Sequence, residues 1–330
     1  MKSAPAWTVG FVSLGCPKNR VDLQIMTGVL LREGFSLAPV PEEADVVMVN
    51  TCAFIRQARE ESLRVIRDAC RLKTGGRCKA VIVTGCLPQR YRQDLRKKLP
   101  GVDAFLGIDE LDRIGAVVSG LRRGQRNLFC VSERPSRLFE PAEPSVVLST
   151  GSYAYIKIAE GCMHACSFCA IPAIRGRHRS RTPDSIVREA EYLLGKGFRE
   201  LILVSQDTTS YGRDLRNGAS LATLLKTFGR LGGKFRIRLL YSFPSSLTDE
   251  LLDTMAGLPR VCHYMDVPVQ HSHPDILRAM GRGATVRAVR EFPDRLRRAM
   301  PDVVLRTTCL VGFPGEREDH FRALVRFIED

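Results

Sequence analysis

The sequence predicts an α/β fold in which an N-terminal parallel-sheet domain precedes an open, partial (β/α) barrel. Strand-like and helix-like segments alternate almost throughout the chain, which is typical of α/β architecture. The strand-like runs are apolar on both faces, as buried parallel strands are. The length of 330 residues fits two domains.

The first domain is predicted to consist of four strand–helix units over residues 1–130. Sequence 131–151 contains several prolines and serines without periodicity, and we interpret it as a linker. The predicted strands are 8–14, 45–50, 80–85 and 104–108, and the helices that follow them are 21–33, 56–72, 88–98 and 110–121.

The second domain is predicted over residues 152–330 and repeats the alternation. Five strand–helix units in series indicate a parallel sheet that curls toward a barrel. The last helix has no strand after it, so we expect an incomplete barrel. The predicted strands are 153–159, 200–206, 235–242, 264–269 and 303–311; the helices are 183–195, 220–230, 248–257, 274–281 with 285–299, and 317–328.

Composition narrows the class of protein. With 44% hydrophobic and 26% charged residues, the chain is an ordinary globular protein. The N-terminus lacks the apolar run of a signal peptide, and no window has the roughly 18 apolar residues of a membrane helix. We therefore expect a cytoplasmic location without a membrane partner. Phosphate-loop, dinucleotide-fingerprint and zincin motifs are all missing.

The net charge of +14 indicates nucleic acid or a nucleoprotein as partner. A compositional origin stays open, because 40 of the 50 cations are arginine. The charge is uneven, since residues 51–100 hold 13 Lys and Arg against 4 Asp and Glu. That window alone contributes +9, and it predicts a basic face in the first domain.

Three closely spaced cysteines give the strongest chemical signal. Cys162, Cys166 and Cys169 lie just after the first strand of the second domain. Zinc would need a fourth ligand at similar spacing, and none follows nearby. Three thiolates on a four-iron cluster leave one iron open for a substrate or cofactor. The alternative is three buried structural cysteines.

A second set of three cysteines is spread along the first domain. Cys16, Cys52 and Cys86 each follow one of its first three strands, one strand–helix unit apart. Successive parallel strands end at one edge of a sheet, where ligands bind. We therefore predict a second three-thiolate metal site, the alternative being small apolar residues that close strand ends. The other cysteines are interpreted as buried small hydrophobes: Cys70, Cys78, Cys130, Cys262 and Cys309.

Three further segments carry weaker signals. Gly312 and Gly315 would let a flat ligand approach the main chain after the last strand. Ser205 and Gln206 place polar side chains at the end of the second strand of the barrel. Sequence 175–181 contains four arginines, which form either a solvated loop or a group that neutralises a carboxylate or phosphate.

These motifs together resemble the radical S-adenosylmethionine (SAM) methylthiotransferases. The Cys-x₃-Cys-x₂-Cys motif after the first barrel strand resembles radical SAM enzymes in general, and the strand-end cysteines are similar to those of the methylthiotransferases. The matching pieces are SLGCPKNRVD (13–22), NTCAFI (50–55), GCLPQRY (85–91), EGCMHACSFCAIPAIRGRHRSR (160–181), SQDTTSYG (205–212) and GFPGE (312–316).

Within this family the chain is similar to the RimO type, which modifies a ribosomal protein. The sister type, which modifies tRNA, usually has Gln-Met-Asn after its first cysteine, Gly-Gln-Asn at 205–207 and Gln-Ser-Gly at 270–272. This chain has Pro-Lys-Asn, Ser-Gln-Asp and Gln-His-Ser at those positions. It departs from the family in having Leu23-Gln24 for Ser-Glu. We also expect it to lack the sixth barrel unit and the C-terminal TRAM domain of the family.

The resemblance implies two 4Fe-4S clusters and SAM as cofactors. The cluster on Cys162, Cys166 and Cys169 would bind SAM, whose cleavage gives the radical that takes hydrogen from the substrate. The cluster on Cys16, Cys52 and Cys86 would hold the sulfur. Residues implied to contact SAM are Phe168 near the adenine, Gly312 and Gly315 along the adenosine, and Ser205, Gln206 and Arg306 at its polar ends.

The implied reaction adds a methylthio group to the β-carbon of an aspartate in small-subunit ribosomal protein S12. The implied partners are this protein or the small ribosomal subunit, an electron donor such as flavodoxin, and ribosomal RNA at the basic window. Two alternatives stay open. One is a tRNA adenosine methylthiotransferase, and the other is a truncated, non-catalytic iron–sulfur or RNA-binding protein.

Overall fold

The chain forms two compact α/β units in the computed structural model, which describes residues 7–140, 146 and 151–330. The first unit comprises residues 1–148 together with the short segment Ala173–Gly176. The second comprises residues 149–172 and 177–330. The segment Ala173–Gly176 lies in the sequence range predicted for the second domain, but it packs within the first unit.

The first unit is built on a six-stranded parallel sheet in the order β2-β1-β3-β4-β5-β6. The registers Ser13↔Asn50 and Thr51↔Gly85 bring the carboxyl ends of three central strands to one edge. The strands are β1 (Thr8–Ser13), β2 (Ser36–Leu37), β3 (Val46–Thr51), β4 (Ala80–Gly85), β5 (Ala104–Leu106) and β6 (Leu128–Cys130).

Four helices accompany this sheet, and side chains of α1 and α4 bury one of its faces. Val46, Met48 and Ile82 of the central strands contribute to the same apolar core as Met26 and Val118 of those helices. Every residue of β3 and β4 is buried, which accounts for their continuous apolar sequences. The helices are α1 (Pro17–Arg32), α2 (Arg56–Arg71), α3 (Cys86–Lys98) and α4 (Ile114–Arg122).

The second unit contains parallel strands that follow one another in chain order. Three form the sheet β11-β10-β7, two form β12-β13, and the parallel bridge Ile237↔Val261 connects β11 with the residues that precede β12. A short antiparallel ladder joins β8 to β9. The strands are β7 (Tyr153–Lys157), β8 (Ala159–Glu160), β9 (Arg179–Ser180), β10 (Glu200–Val204), β11 (Arg236–Leu239), β12 (Tyr264–Asp266) and β13 (Val304–Arg306).

The helices of this unit follow its parallel strands, as the sequence predicts. Two of them begin at threonine or serine side chains that accept a hydrogen bond from the first helical turn, Ser220 before α7 and Thr248 before α8. The helices are α6 (Pro183–Gly195), α7 (Leu221–Gly229), α8 (Asp249–Gly257), α9 (Pro274–Ala279), α10 (Val286–Ala299) and α11 (Glu318–Glu329). The short helix α5 (Ile171–Arg175) begins in this unit and ends in the segment Ala173–Gly176 of the first.

The observed elements differ from the predicted ones mainly at strand ends. The predicted strands 200–206 and 303–311 are shorter in the structure, because their last residues turn away at the carboxyl edge. β2 and β6 were not predicted, since strands of two or three residues have no readable period. Within the predicted linker, residues 141–145 and 147–150 lie outside the described residues. No helix among the described residues is long and apolar enough to span a bilayer.

Candidate functional site

The first unit brings Cys16, Cys52 and Cys86 to the carboxyl edge of its sheet. Cys16 caps the N-terminus of α1, Cys52 directly follows β3, and Cys86 is the first residue of α3. Their thiols lie close enough that Cys16 and Cys52 affect the ionisation of Cys86. The geometry therefore gathers three residues that are 36 and 34 positions apart in the sequence.

Two glycines make this convergence possible. Gly15 and Gly85 both adopt φ of +94°, a conformation that side chains disfavour. A Cβ atom on Gly15 would lie 2.9 Å from the Cβ of Cys52, and one on Gly85 would lie 2.6 Å from the Thr51 carbonyl oxygen. The strand ends can approach each other because these two positions carry no side chain.

Asn19 fastens the ends of two neighbouring strands beneath the cysteines. Its Nδ2 donates to the Thr51 carbonyl of β3 at 2.8 Å and to the Leu14 carbonyl, just after β1, at 3.4 Å, and its own carbonyl accepts from Asn50 Nδ2 at 2.7 Å. Both asparagines are fully buried. These bonds join the chain near Cys16 to the chain near Cys52, as a preorganised metal site requires.

A buried arginine from a distant part of the sequence completes this pocket. Arg175 is 1% exposed, and its Nη1 lies 2.8 Å from Asp22 Oδ2 of α1. Its Nη2 donates to Asn19 Oδ1 at 2.6 Å and to Cys86 Sγ at 3.4 Å. The guanidinium therefore contacts one of the three cysteines directly.

The donor set of the first unit fits an iron–sulfur cluster. Thiolates are the protein ligands of such clusters, and Cys16 and Cys86 lie at helix N-termini, where negative charge is stabilised. Burial raises the pKa of Cys86 to about 11, and the positive charge of Arg175 opposes that rise. Metal binding would displace the thiol protons.

The second unit holds Cys162, Cys166 and Cys169 in the loop after β8, and each sulfur accepts one N–H group. The backbone N–H of His164 lies 3.4 Å from Cys162 Sγ, and that of Ile171 lies 3.4 Å from Cys169 Sγ. Burial raises the pKa of Cys162 to about 11. Donors directed at all three sulfurs would stabilise thiolates, so this loop also fits a cluster.

The donor to the third sulfur is a buried arginine far along the chain. Arg282 is 8% exposed, and its Nε donates to Cys166 Sγ at 3.3 Å. Its Nη1 also donates to the Pro268 and Val269 carbonyls, and its guanidinium lies 4.5 Å from the centre of the Phe243 ring. The amino-acid sequence does not indicate Arg282 as part of this site, because no motif connects it to the cysteines.

The other face of the same aromatic ring contacts the cysteine loop. The imidazole of His164 stacks on Phe243 with ring centres 3.6 Å apart and planes inclined by 9°. His164 Nε2 lies 2.7 Å from Asp207 Oδ2. Burial alone would raise the pKa of Asp207, but hydrogen bonds from His164, Ser210 and Thr209 lower it. His164 is therefore tied to the carboxyl end of β10.

The residues implied to contact SAM lie near the carboxyl ends of the barrel strands. Phe168 is half-buried within the cysteine loop, and the Gly312–Gly315 turn has open space beside both glycines. Gln206 Nε2 donates to Glu160 Oε1 at 2.7 Å, while Arg306 pairs with Asp266 at 3.7 Å. Ser205 is fully buried and donates to Thr208. Their roles toward SAM stay predictions.

The arginine-rich segment 175–181 neutralises carboxylates of the protein itself. Arg175 pairs with Asp22, and the equally buried Arg181 pairs with Glu189. His271 is also buried, beside Glu316. Of the two interpretations that the sequence left open, the solvated loop is therefore wrong for these two arginines.

Family models match most of both parts of the chain. The model of the Radical SAM superfamily matches residues 156–328, and that of Uncharacterized protein family UPF0004 matches residues 8–107. Among solved structures, the radical SAM methyltransferase TsrM from Kitasatospora setae matches with a TM-score of 0.68 at 17% identity. The matched region covers 98% of this chain and 71% of the TsrM chain.

Curated relatives are considerably more similar. Ribosomal protein uS12 methylthiotransferase RimO from Geobacter sulfurreducens is 43% identical over 98% of this chain and 72% of its own length. The protein of the same name from Syntrophus aciditrophicus is 46% identical, also over 98% and 72%. The matched region thus spans nearly three quarters of each relative.

The fold, the cysteine sites and these matches define a radical SAM methylthiotransferase, a transferase that uses SAM and two 4Fe-4S clusters. More particularly, the chain belongs to the family of ribosomal protein uS12 methylthiotransferases. The predictions of an N-terminal parallel-sheet α/β domain followed by a radical SAM domain, of the enzyme class and of the cofactors are confirmed.

Proposed function

We propose that this enzyme adds a methylthio group to the β-carbon of an aspartate in ribosomal protein uS12. The observation that supports this most strongly is the presence of two separate three-cysteine sites, one in each unit. Cys162, Cys166 and Cys169 hold one cluster, and Cys16, Cys52 and Cys86 hold the other. The substrate is inferred from the relatives, which carry uS12 in their names.

The cofactors supply the reactive chemistry, and the protein supplies position and electrostatics. When bound, the clusters would relay an electron from a reductant and hold the sulfur, and SAM would supply the methyl group and the radical that takes hydrogen from the substrate. Asn19 and the two strand-end glycines fix the cysteines of the first unit. Arg282 and two backbone N–H groups stabilise the thiolates of the second unit.

Within the second unit we assign the SAM contacts to residues at the carboxyl ends of the strands. The open backbone at Gly312 and Gly315 accepts the adenosine, and Phe168 packs near its adenine. Gln206 and Arg306 contact the polar ends of SAM, and the buried Ser205 supports the carboxyl end of β10. A Gly312→Ala variant should weaken SAM binding, measured by equilibrium dialysis of the reconstituted enzyme.

For partners, we propose that the basic surface of α2 docks the ribosomal substrate or the adjoining ribosomal RNA. Exposed arginines lie along this helix, and Phe54 and Ile55 just before it are 42% and 53% exposed. Basic charge beside exposed apolar residues suits a nucleoprotein surface. The same positive charge would attract an acidic electron donor such as flavodoxin in the cytoplasm.

Charge reversal tests the docking surface. Four exposed arginines of α2, Arg56, Arg64, Arg67 and Arg71, are replaced by glutamate. The matched control reverses four exposed arginines of α10, Arg287, Arg290, Arg297 and Arg298, which changes the net charge equally. Binding of small ribosomal subunits should weaken and lose salt dependence only in the α2 variant. Equal binding by both variants would contradict the assignment.

The substrate itself is tested by direct competition. The anaerobically reconstituted enzyme is incubated with SAM, a reductant, a sulfide source, recombinant uS12 and tRNA. Mass spectrometry should show the gain of a methylthio group on an aspartate of uS12 and an unchanged tRNA. A methylthio group on adenosine would establish the sister reaction instead. Without product or 5′-deoxyadenosine, the protein would be a non-catalytic iron–sulfur or RNA-binding protein.

A further inference from the structure

We infer that Arg175 is a positioning residue for the cluster of the first unit, where it holds the Cys86 ligand and sets the reduction potential of the cluster. The inference rests on the proposed assignment of that cluster to Cys16, Cys52 and Cys86. It concerns a residue from the arginine-rich segment 175–181, six positions after Cys169 in the sequence.

The contacts of Arg175 divide between its two terminal nitrogens. Nη1 lies 2.8 Å from Asp22 Oδ2, which forms an ion pair inside the first unit. Nη2 donates to Asn19 Oδ1 at 2.6 Å and to Cys86 Sγ at 3.4 Å. A planar guanidinium can serve all three partners at once, and the single nitrogen of lysine cannot.

The ion pair with Asp22 does not by itself explain this arrangement. Arg175 and Asp22 are each 1% exposed, so burying them costs much of what their attraction gains. If the ion pair served only to stabilise the fold, Nη2 could donate to any nearby carbonyl oxygen. Instead Nη2 is directed at Cys86 and at Asn19, the residue that fastens the strand ends beneath the cysteines.

The consequence for a bound cluster follows from electrostatics. A reduced cluster carries one more negative charge than an oxidised one, so a nearby positive charge and a hydrogen bond to a ligand sulfur favour reduction. Arg175 provides both at the same ligand, and its burial limits screening by water. The side chain should therefore raise the reduction potential of this cluster above the value it would otherwise have.

The test uses the full chain with the other cluster removed. In a Cys162/Cys166/Cys169→Ala background, only the cluster of the first unit should remain, with about four irons. Arg175→Gln and Arg175→Lys are compared in that background by iron content and by redox titration followed by electron paramagnetic resonance. Arg177→Gln, at an exposed position two residues further on, is the matched control.

We expect Arg175→Gln to shift the reduction potential to more negative values, Arg175→Lys to shift it less, and Arg177→Gln to leave it unchanged. The inference would also be supported if Arg175→Lys retained iron and Arg175→Gln did not, since only the lysine keeps the charge. An unchanged potential in Arg175→Gln with the cluster bound would overturn it. Loss of iron from both Arg175 variants, together with loss of their native circular dichroism, would also overturn the inference, because Arg175 would then be a structural residue.

Asp22→Asn separates the ion pair from the cluster role. This variant keeps Arg175 and removes its counter-charge, so we expect the potential to shift in the opposite direction, toward less negative values. A shift in the same direction as that of Arg175→Gln would assign the effect to the ion pair alone. If the background variant binds no iron at all, the assignment of the cluster to the first unit fails before Arg175 is tested, so the two failures are distinguishable.

Discussion

Arg282 donates a hydrogen bond from Nε to the sulfur of Cys166 at 3.3 Å, although the two residues are 116 positions apart. The guanidinium is buried above Phe243 and is also bonded to two backbone carbonyls. These contacts involve protein atoms alone. The three sulfurs of the second unit are thus organised by residues that no cysteine motif reveals.

Replacing Arg282 should weaken retention of the cluster of the second unit. Arg282→Gln removes a charge-assisted hydrogen bond of roughly 1.5–3 kcal/mol, which corresponds to about 10- to 100-fold weaker retention. Cluster retention is measured as the iron content that remains after dilution in the presence of a chelator. The measurement uses a Cys16/Cys52/Cys86→Ala background. Arg278→Gln, which changes an exposed arginine paired with Asp275, should retain iron as the background does. Equal loss from both variants would contradict the role of Arg282.

Asp207 should be important for the stability of the second unit. Asp207→Ala leaves the Thr209 and Ser210 hydroxyls and the His164 ring without their acceptor in a buried site, at a cost of about 3 kcal/mol. Urea unfolding at pH 7 measures this loss, with Asp253→Ala, at an exposed position, as the control. Because the folded-state pKa of Asp207 is lowered, its contribution is present at neutral pH and is lost as the solution becomes acidic.

Gly15→Ala should damage the metal site of the first unit. The added Cβ would lie 2.9 Å from the Cβ of Cys52 at a φ of +94°, so the strand ends must separate. We expect the bound iron to fall by about four per chain. Gly34→Ala is the matched control, since Gly34 also has a positive φ, +83°, but has open space around it. It should cost about 1–2 kcal/mol of stability and leave the iron content unchanged.

Asp45 should make the first unit sensitive to acid. Burial alone would raise its pKa, but hydrogen bonds from Thr8, Lys79 and Arg77 lower it to about 2. The ionised group therefore stabilises the fold by about 2 kcal/mol above the usual carboxyl pKa, and this is lost as the pH falls from about 4 toward 2. Urea unfolding of wild type and Asp45→Asn should show a difference at pH 7 that shrinks near pH 3. A difference independent of pH would contradict this account.

Much of this architecture is predictable from the sequence, because parallel strands and thiol ligands leave clear patterns. Continuous apolar runs identified β3 and β4. The rule that parallel strands end at a common edge predicted that Cys16, Cys52 and Cys86 converge. These inferences need only local composition and the topology of consecutive strand–helix units.

The residues that complete both sites were not predictable in the same way. Arg282 and Arg175 reach their cysteines from 116 and 89 positions away. Nothing in the local sequence distinguishes Arg282, and the cluster 175–181 does not indicate which of its four arginines reaches a cysteine. His164 illustrates a related limit, since its position between two of the cysteines does not indicate where its ring lies. In the structure its backbone bonds Cys162 while its ring contacts Phe243 and Asp207.

Iron counting tests most directly whether each of the two three-cysteine sites holds a cluster. Wild type, Cys16/Cys52/Cys86→Ala and Cys162/Cys166/Cys169→Ala are reconstituted in parallel under anaerobic conditions. We predict about eight irons for wild type and about four for each variant. We also predict 5′-deoxyadenosine formation only where Cys162, Cys166 and Cys169 are intact. Unchanged iron in the Cys16/Cys52/Cys86→Ala variant would contradict the second cluster site.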